Sequence, residues 1–289
     1  MSTSPTEQLL PGLASLEEGL GSAYERYAVG RLTERLVQEL GVRTVAEWPA
    51  NGVLGVPGLK SLPLALLGCE VTLLSPSSEL LEGARTVWRA AGAEPTLLVS
   101  SPERQDAIPP NSFDLVWSFC AFEHAHDPDA LARAMVRAAR GYVLVFVQNA
   151  WMPGVHLHRL QHAVERKSWD HGRVSSMRAE SVAERLRAAG AGVVAFGGCD
   201  LPPWPDINVK LPRRRTSSAQ KNSGPRPYGP GDAALTPIEA ARVVGRPATL
   251  SRTMRALAAW HDHVERSLPP GLLRFFAHHP YVLAKKGRG

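Results

Sequence analysis

The chain has 289 residues, 44% of them hydrophobic, and a formal net charge of +6. That is enough apolar material for one large α/β domain or two small ones, and the mild positive charge permits nucleic acid as a partner without requiring it. No apolar run approaches the roughly 20 residues of a membrane span, and the opening MSTSPTEQLLPGL lacks the basic-then-apolar pattern of a secretory signal.

The three cysteines, Cys69, Cys120 and Cys199, are far apart and show no metal-ligand spacing. Reduced thiols in a cytoplasmic protein are the expectation. Residues 1–21 read as a flexible start. Ser22–Leu40 is predicted helical, with Leu32, Leu36, Val37 and Leu40 as its stripe and Gly41 as its stop. Thr44–Trp48 is short and apolar, as a buried parallel strand would be. Gly52, Gly55 and Gly58 then recur every three residues, with Pro49 and Pro57 among them. Leu59–Leu67 is an apolar helix ended by Gly68, and Glu70–Leu74 is a second strand. This is a βαβ unit with glycines at the first strand-to-helix turn, where doubly wound folds bind nucleotides.

Ser78–Ala91 follows as a helix capped by Ser77 or Ser78, and Pro95–Val99 as a third strand. A loop carries Ser101, Glu103 and Asp106. Ser112–Phe119 is a fourth strand. Asp127–Arg140 is a helix with Asp127 as N-cap, Pro128 at its first position and Gly141 closing it. Tyr142–Val147 is a fifth strand, apolar throughout. Residues 151–169 are rich in histidine and aromatic side chains. Ser181–Ala189, entered from Arg178, is a helix, and Gly192–Phe196 a sixth strand. Residues 201–237 are dense in Pro, Gly and Ser and carry Lys210, Arg213, Arg214, Arg215, Lys221 and Arg226. That is the composition of a flexible basic loop. Two helices, Thr236–Val244 and Thr249–Ser267, a short amphipathic piece at 272–279 and a last strand at Pro280–Lys285 complete the chain. Alternating strands and helices with such apolar central strands argue a parallel sheet covered on both faces.

The run FDLVWSFCAFEHAHDPDALARAMVRAARGYVLVFVQN, Phe113 to Asn149, resembles the fourth strand, following helix and fifth strand of class I S-adenosylmethionine-dependent methyltransferases. YERYAVGRLTERL resembles the helix before that family's first motif, LGCEVTLLSPS its second strand, and YVLAKK its seventh, antiparallel strand. The resemblance spans roughly Ser22–Cys199 and the last strand. It implies an α/β, Rossmann-like, seven-stranded, mostly parallel sheet with helices on both faces. It places the cofactor domain at 22–200, a basic loop and helical insertion at 201–279 as a cap or dimer contact, and the last strand and tail at 280–289. Where the family usually has acid-x-Gly-x-Gly-x-Gly, this chain has Glu47 followed by displaced glycines and intruding prolines. Where the family has a ribose-binding acid, it has Ser75 and Pro76.

The resemblance further implies S-adenosylmethionine as cofactor, with S-adenosylhomocysteine as product, and a small-molecule acceptor methylated on oxygen, nitrogen or carbon. Glu47 would orient either the methionine end or the turn itself. Pro49, Gly52, Gly55 and Gly58 belong to the cofactor turn. Ser75 and Pro76 would face the ribose, Ser101 or Glu103 the adenine, and Ser118 and Phe119 the edge after the fourth strand. His124 is the general-base candidate because imidazole titrates near neutrality, with Glu123 holding it or capping the next helix. Asn149, Trp151, His156 and His158 would line the acceptor. His158 and His162 stand at i, i+4, but no further ligand spacing accompanies them, so no metal is expected. FCAF at Phe119–Phe122, in place of an Asn/Asp-Pro-Pro-aromatic tetrad, speaks against base or amide nitrogen, and nucleic acid is not the expected acceptor. Three alternatives stay open: a methyltransferase of protein or nucleic acid, a non-catalytic relative acting as a partner subunit, and a nicotinamide-dependent enzyme, against which the strand order after Ser112 speaks.

Overall fold

A computed structural model describes residues 20–50, 57–101, 108–169, 171–201 and 252–287. The helix Thr236–Val244, the basic loop, and Gly52, Gly55 and Glu103 lie outside the described residues. The elements run α1 (Leu20–Leu40), β1 (Thr44–Glu47), a 3-10 turn (Leu59–Ser61), α2 (Leu62–Leu66), β2 (Glu70–Ser75), α3 (Ser78–Ala90), β3 (Thr96–Val99) and β4 (Phe113–Phe119). They continue with α4 (Pro128–Ala138), β5 (Ala139–Phe146), α5 (Pro153–Val164), a 3-10 turn (Val174–Ser176), α6 (Ala179–Ala188), β6 (Ala191–Cys199), α7 (Arg252–Ser267), α8 (Pro270–Phe276) and β7 (His279–Lys286).

The seven strands form one sheet in the order β3-β2-β1-β4-β5-β7-β6. β1 to β5 pair in parallel, and β7 runs antiparallel between β5 and β6. Neighbouring residues on each strand go to opposite faces, as a pleat requires. Val45, Leu73, Trp117 and Leu144 join a core on one side with Leu32, Leu62 and Trp88. Ala46, Leu74, Val116 and Val143 join the other with Leu131, Met135, Val182 and Leu186. Fully burying one such large apolar side chain stabilises the fold by about 1.5–3 kcal/mol, so both layers of helices are held mainly by these stripes.

Local chemistry sets the ends. Ser77 Oγ accepts the Leu80 N–H and starts α3. Asp127 Oδ1 accepts the Asp129 and Ala130 N–H groups and starts α4, with Pro128 at its first position. Two sequence expectations shift. Gly141 does not close α4: the helix stops at Ala138 because Ala139 is already extended and pairs with Phe113, so Gly141 lies inside β5. β6 does not stop at Phe196 but runs to Cys199. A Cβ at Gly197 would stand 2.4 Å from the Tyr281 ring, and one at Gly198 2.5 Å from Ala277 Cβ. The glycine pair therefore admits β7 and α8 to close contact.

The segment before β7 docks on α1. Tyr27 Oη donates to Asp262 at 3.3 Å, Arg35 pairs with Glu265 at 2.7 Å, and His261 sits edge-on between the rings of Tyr24 and Tyr27. No helix among the described residues is long and apolar enough to cross a membrane.

Candidate cofactor and acceptor site

The parallel strands end along one edge, and backbone hydrogen bonds carry their register past the strand ends. Trp48 N donates to Trp117 O, Ala50 N to Leu74 O, Ser100 N to Ser75 O and Cys120 N to Phe146 O, all at 2.7–3.0 Å. Residues 48–50, 75–76, 100–101 and 119–123 are thereby brought together at the carboxyl edge, the ligand edge of an open α/β sheet.

The exit of the glycine turn is pinned to the sheet. Glu47 is buried, and its Oε2 accepts the Ser61 hydroxyl at 2.6 Å, while Ser61 Oγ accepts the Trp117 indole N–H at 2.9 Å. Burial pushes the Glu47 carboxyl up to about 7, against the opposing effects of Ser61, Lys60 and the Gly58 N–H. Gly58 has φ 71°, and a Cβ there would lie 2.3 Å from a Leu73 methyl. Only glycine lets the turn come this close to β2. Trp88 Nε1 donates to the Gly58 carbonyl at 3.2 Å. Glu47 and Gly58 thus fix the exit of the turn against β1 and β2.

Ser75 is fully buried and its Oγ accepts the Ser77 N–H at 3.2 Å, which leaves its own hydroxyl proton to give; Pro76 is exposed. Ser101 is half-buried, and Pro49, also half-buried, follows Trp48 through a cis peptide bond. Ser100 Oγ, Ser118 Oγ and Trp48 Nε1 are buried without hydrogen-bond partners among the described residues. Such orphans are uncommon, and three of them stand at the ends of β1, β3 and β4.

Sequence reasoning missed a charged cluster beside them. Lys60 Nζ meets Glu25 Oε1 at 2.9 Å, and His279 Nε2 meets Glu25 Oε2 at 2.9 Å. Lys60 also lies 4.4 Å from the centre of the Phe119 ring, and Cys120 Sγ is 3.4 Å from His279 Nδ1. Burial alone would raise the Glu25 carboxyl, but Lys60 and His279 outweigh it and hold it well below the usual range. The available signal was Lys60 itself, the single charge in the apolar run Leu59–Leu67. His279 is fully buried.

Past β4, Glu123 is 1% exposed. Its Oε1 accepts the Gln148 N–H at 3.1 Å and its Oε2 has no partner. Burial raises its carboxyl to about 7, partly countered by the Gln148 N–H and the Cys120 thiol. His124, one residue on, is exposed. After β5, Asn149 is fully buried and spends its side chain on structure: Nδ2 donates to the Arg274 and Ala277 carbonyls, and Oδ1 accepts the Trp151 N–H. Trp151 is exposed with Arg178 stacked 5.3 Å from its ring. His156 bonds the Ala150 carbonyl through Nε2, and His158 turns away to His171.

A family model described as "Methyltransferase domain" matches residues 54–145, which run from the glycine turn through β5. Residues 54–145 thus carry a methyltransferase domain, and the fold around them is the Rossmann-like one of S-adenosylmethionine-dependent methyltransferases. No curated protein matches this methyltransferase significantly in sequence. Among solved structures it is similar to a Thermotoga maritima SAM-dependent methyltransferase described as a possible histamine N-methyltransferase, at 13% identity and TM-score 0.52, covering 97% of this chain and 99% of that one. It is also similar to the structure of a complex between the Haloferax volcanii Trm112 methyltransferase activator and a methyltransferase, at 17% identity and TM-score 0.51, covering 98% of each chain. At these identities the likeness is one of fold.

S-adenosylmethionine is the cofactor of this methyltransferase, and the described residues fit it. The orphaned hydroxyls of Ser100 and Ser118, the indole N–H of Trp48 and the spare proton of Ser75 are polar groups at the strand ends that such a group could partner. At the end of β2 the polar side chain is the Ser75 hydroxyl, a weaker hydrogen-bonding partner than a bidentate carboxylate.

Proposed function

We propose that this methyltransferase acts on a small-molecule acceptor bearing a hydroxyl or amine, with the proton taken by the Glu123 carboxyl. The observation that carries this reading is Glu123 itself: a carboxyl 1% exposed, raised to about 7, with one oxygen unpartnered, directly after β4. A base works best with a pKa near the working pH. One buried this deeply is reached by a slender acceptor group and not by the main chain of a protein or nucleic acid. S-adenosylmethionine supplies the methyl from its sulfonium when bound, so the chain has to hold the acceptor atom in line and remove a proton.

In this reading Pro49, Gly52, Gly55, Ser75, Pro76, Ser101, Glu103, Ser118 and Phe119 border the cofactor, while Glu47 and Gly58 set the shape of the turn. His124, at the exposed rim of the same loop, passes the proton to solvent. Trp151 and His156 flank the acceptor side, His158 having turned to His171 instead, and Asn149 holds the turn that presents Trp151. Residues 22–200 would be the cofactor domain, with 201–279 as a cap or a dimer contact.

The test is calorimetric titration with S-adenosylhomocysteine, followed by transfer of labelled methyl to a panel of small hydroxyl and amine compounds. Wild type should bind one equivalent, and Glu123→Gln should bind equally well while losing turnover. Because the carboxylate is the active form, kcat/KM should rise with pH through a midpoint near 7. Full turnover by Glu123→Gln would overturn the assignment. Absence of binding at millimolar ligand would overturn the reading, and Ser75 in place of an acid at the end of β2 is the feature that would account for it.

A further inference from the structure

We propose a three-histidine site for a divalent late-transition-metal ion, of the zinc class, built by His158 and His162 of α5 and by His171 of the loop that returns across it. His158 and His162 are one helical turn apart and face the same way. Arg166, at φ 53°, and the Lys167 N–H to His162 carbonyl bond at 2.9 Å turn the chain back over α5. That return sets His171 against both: ring centres lie 4.6 Å apart for His158–His162, 4.7 Å for His158–His171 and 5.2 Å for His162–His171. One ligand atom from each of the three lies within 4.8 Å of the others, and His158 Nε2 and His171 Nε2 are 3.0 Å apart. Two nitrogens at about 2.0–2.1 Å from one tetrahedral ion stand roughly 3.3 Å apart, so this pair is already near the required edge.

The shell behind the ligands fits as well. His162 Nδ1 meets the Ser168 carbonyl at 2.8 Å. A carbonyl only accepts, so Nδ1 carries the proton, and the neutral ring presents the Nε2 lone pair outward. Trp169 packs its ring 4.9–5.9 Å from all three imidazoles and donates to the Gly172 carbonyl at 2.7 Å, which fixes the loop. The donor set is all imidazole, which suits zinc, copper or nickel and does not suit magnesium or calcium, whose ligands are oxygens. Three protein ligands leave a fourth position for water. The ion would clamp the loop to α5, and the same loop braces the exit of β4: the Arg173 N–H donates to the Glu123 carbonyl at 2.8 Å, and Gly172 packs on the Glu123 backbone.

The test uses the full chain stripped with chelator and then titrated with Zn²⁺, read by calorimetry and by metal content after dialysis. Wild type should retain one equivalent. His158→Ala and His171→Ala should each weaken binding by more than about tenfold, a loss at least as large as that from removing a second-shell partner, while His263→Ala should bind as wild type. Unchanged binding in the first two, or none in wild type, overturns the site. A readout free of variants is the histidine ring proton spectrum of wild type. Zn²⁺ should move the resonances of three histidines together, and a spectrum in which those of His158, His162 and His171 stay put overturns the site equally.

Discussion

Replacing Glu47 with glutamine isolates the electrostatic cost of holding the glycine turn with a buried acid. The carboxyl titrates at about 7 in the folded protein against an ordinary 4.5. Because the folded value is the higher, the protonated form is favoured by folding. Its stabilising contribution is complete below pH 4.5 and is lost as pH rises towards 7. At about 1.36 kcal/mol per pH unit, the full loss is roughly 3 kcal/mol. Between pH 5 and pH 8.5 the wild type should therefore lose about 2.5 kcal/mol at this one site. Glutamine keeps the shape and accepts the Ser61 hydroxyl, but cannot ionise. Glu47→Gln carries some fixed offset, since its amide must replace a contact with the Gly58 N–H. Only the pH dependence bears on the reasoning. Urea unfolding of both proteins at pH 5 and pH 8.5, without cofactor, reads it directly. The variant should gain about 2.5 kcal/mol relative to wild type over that interval, about 5–10 °C in Tm for a chain of this size. Parallel pH profiles for the two proteins would show that Glu47 ionises in the fold without penalty, and the account of the turn would fail.

Gly58→Ala forces a side chain into the left-handed region and against a Leu73 methyl, so it should destabilise by roughly 2–4 kcal/mol in thermal or urea unfolding. A cost under about 0.5 kcal/mol, the level of an ordinary surface change, would mean that the turn gives way. Lys60→Met leaves Glu25 buried with His279 alone and should cost roughly 3–5 kcal/mol, whereas the double variant Lys60→Met, Glu25→Gln should recover much of it; no recovery would detach the two residues energetically. Asn149→Ala strands the Arg274 and Ala277 carbonyls and frees the Trp151 N–H, so a loss of roughly 2–4 kcal/mol is expected on unfolding.

The sheet was readable because its strands are short apolar runs punctuated by glycines, and because Ser77 and Asp127 announce their helices by chemistry that acts within three residues. What failed was local in appearance but tertiary in cause. Gly141 looks like a helix stop, yet the pairing of Ala139 with Phe113 had already ended the helix. The sixth strand reads as ending at Phe196, yet it continues through Gly197 and Gly198, the gap into which Tyr281 and Ala277 fit. The site was legible as strand ends, since strand order sets the ligand edge, but not as side chains. Glu25, Lys60 and His279 are separated by 35 and 219 residues and share no periodicity. Asn149, polar and placed after a strand, reads as a ligand residue; burial converts it into scaffolding. His171 sits nine residues beyond His162, outside any helical spacing, and only the turn at Arg166 brings it back.

β7 is the last strand in the chain and enters the sheet between two strands made before it, and its first residue is His279. Glu25 can meet Lys60 as soon as α1 and the first 3-10 turn exist, but the partner of its second oxygen arrives only with β7, 219 residues after Lys60. The cluster beside the ligand edge is therefore completed only when β7 joins the sheet, and a copy ended before His279 presents a glycine turn without its full brace.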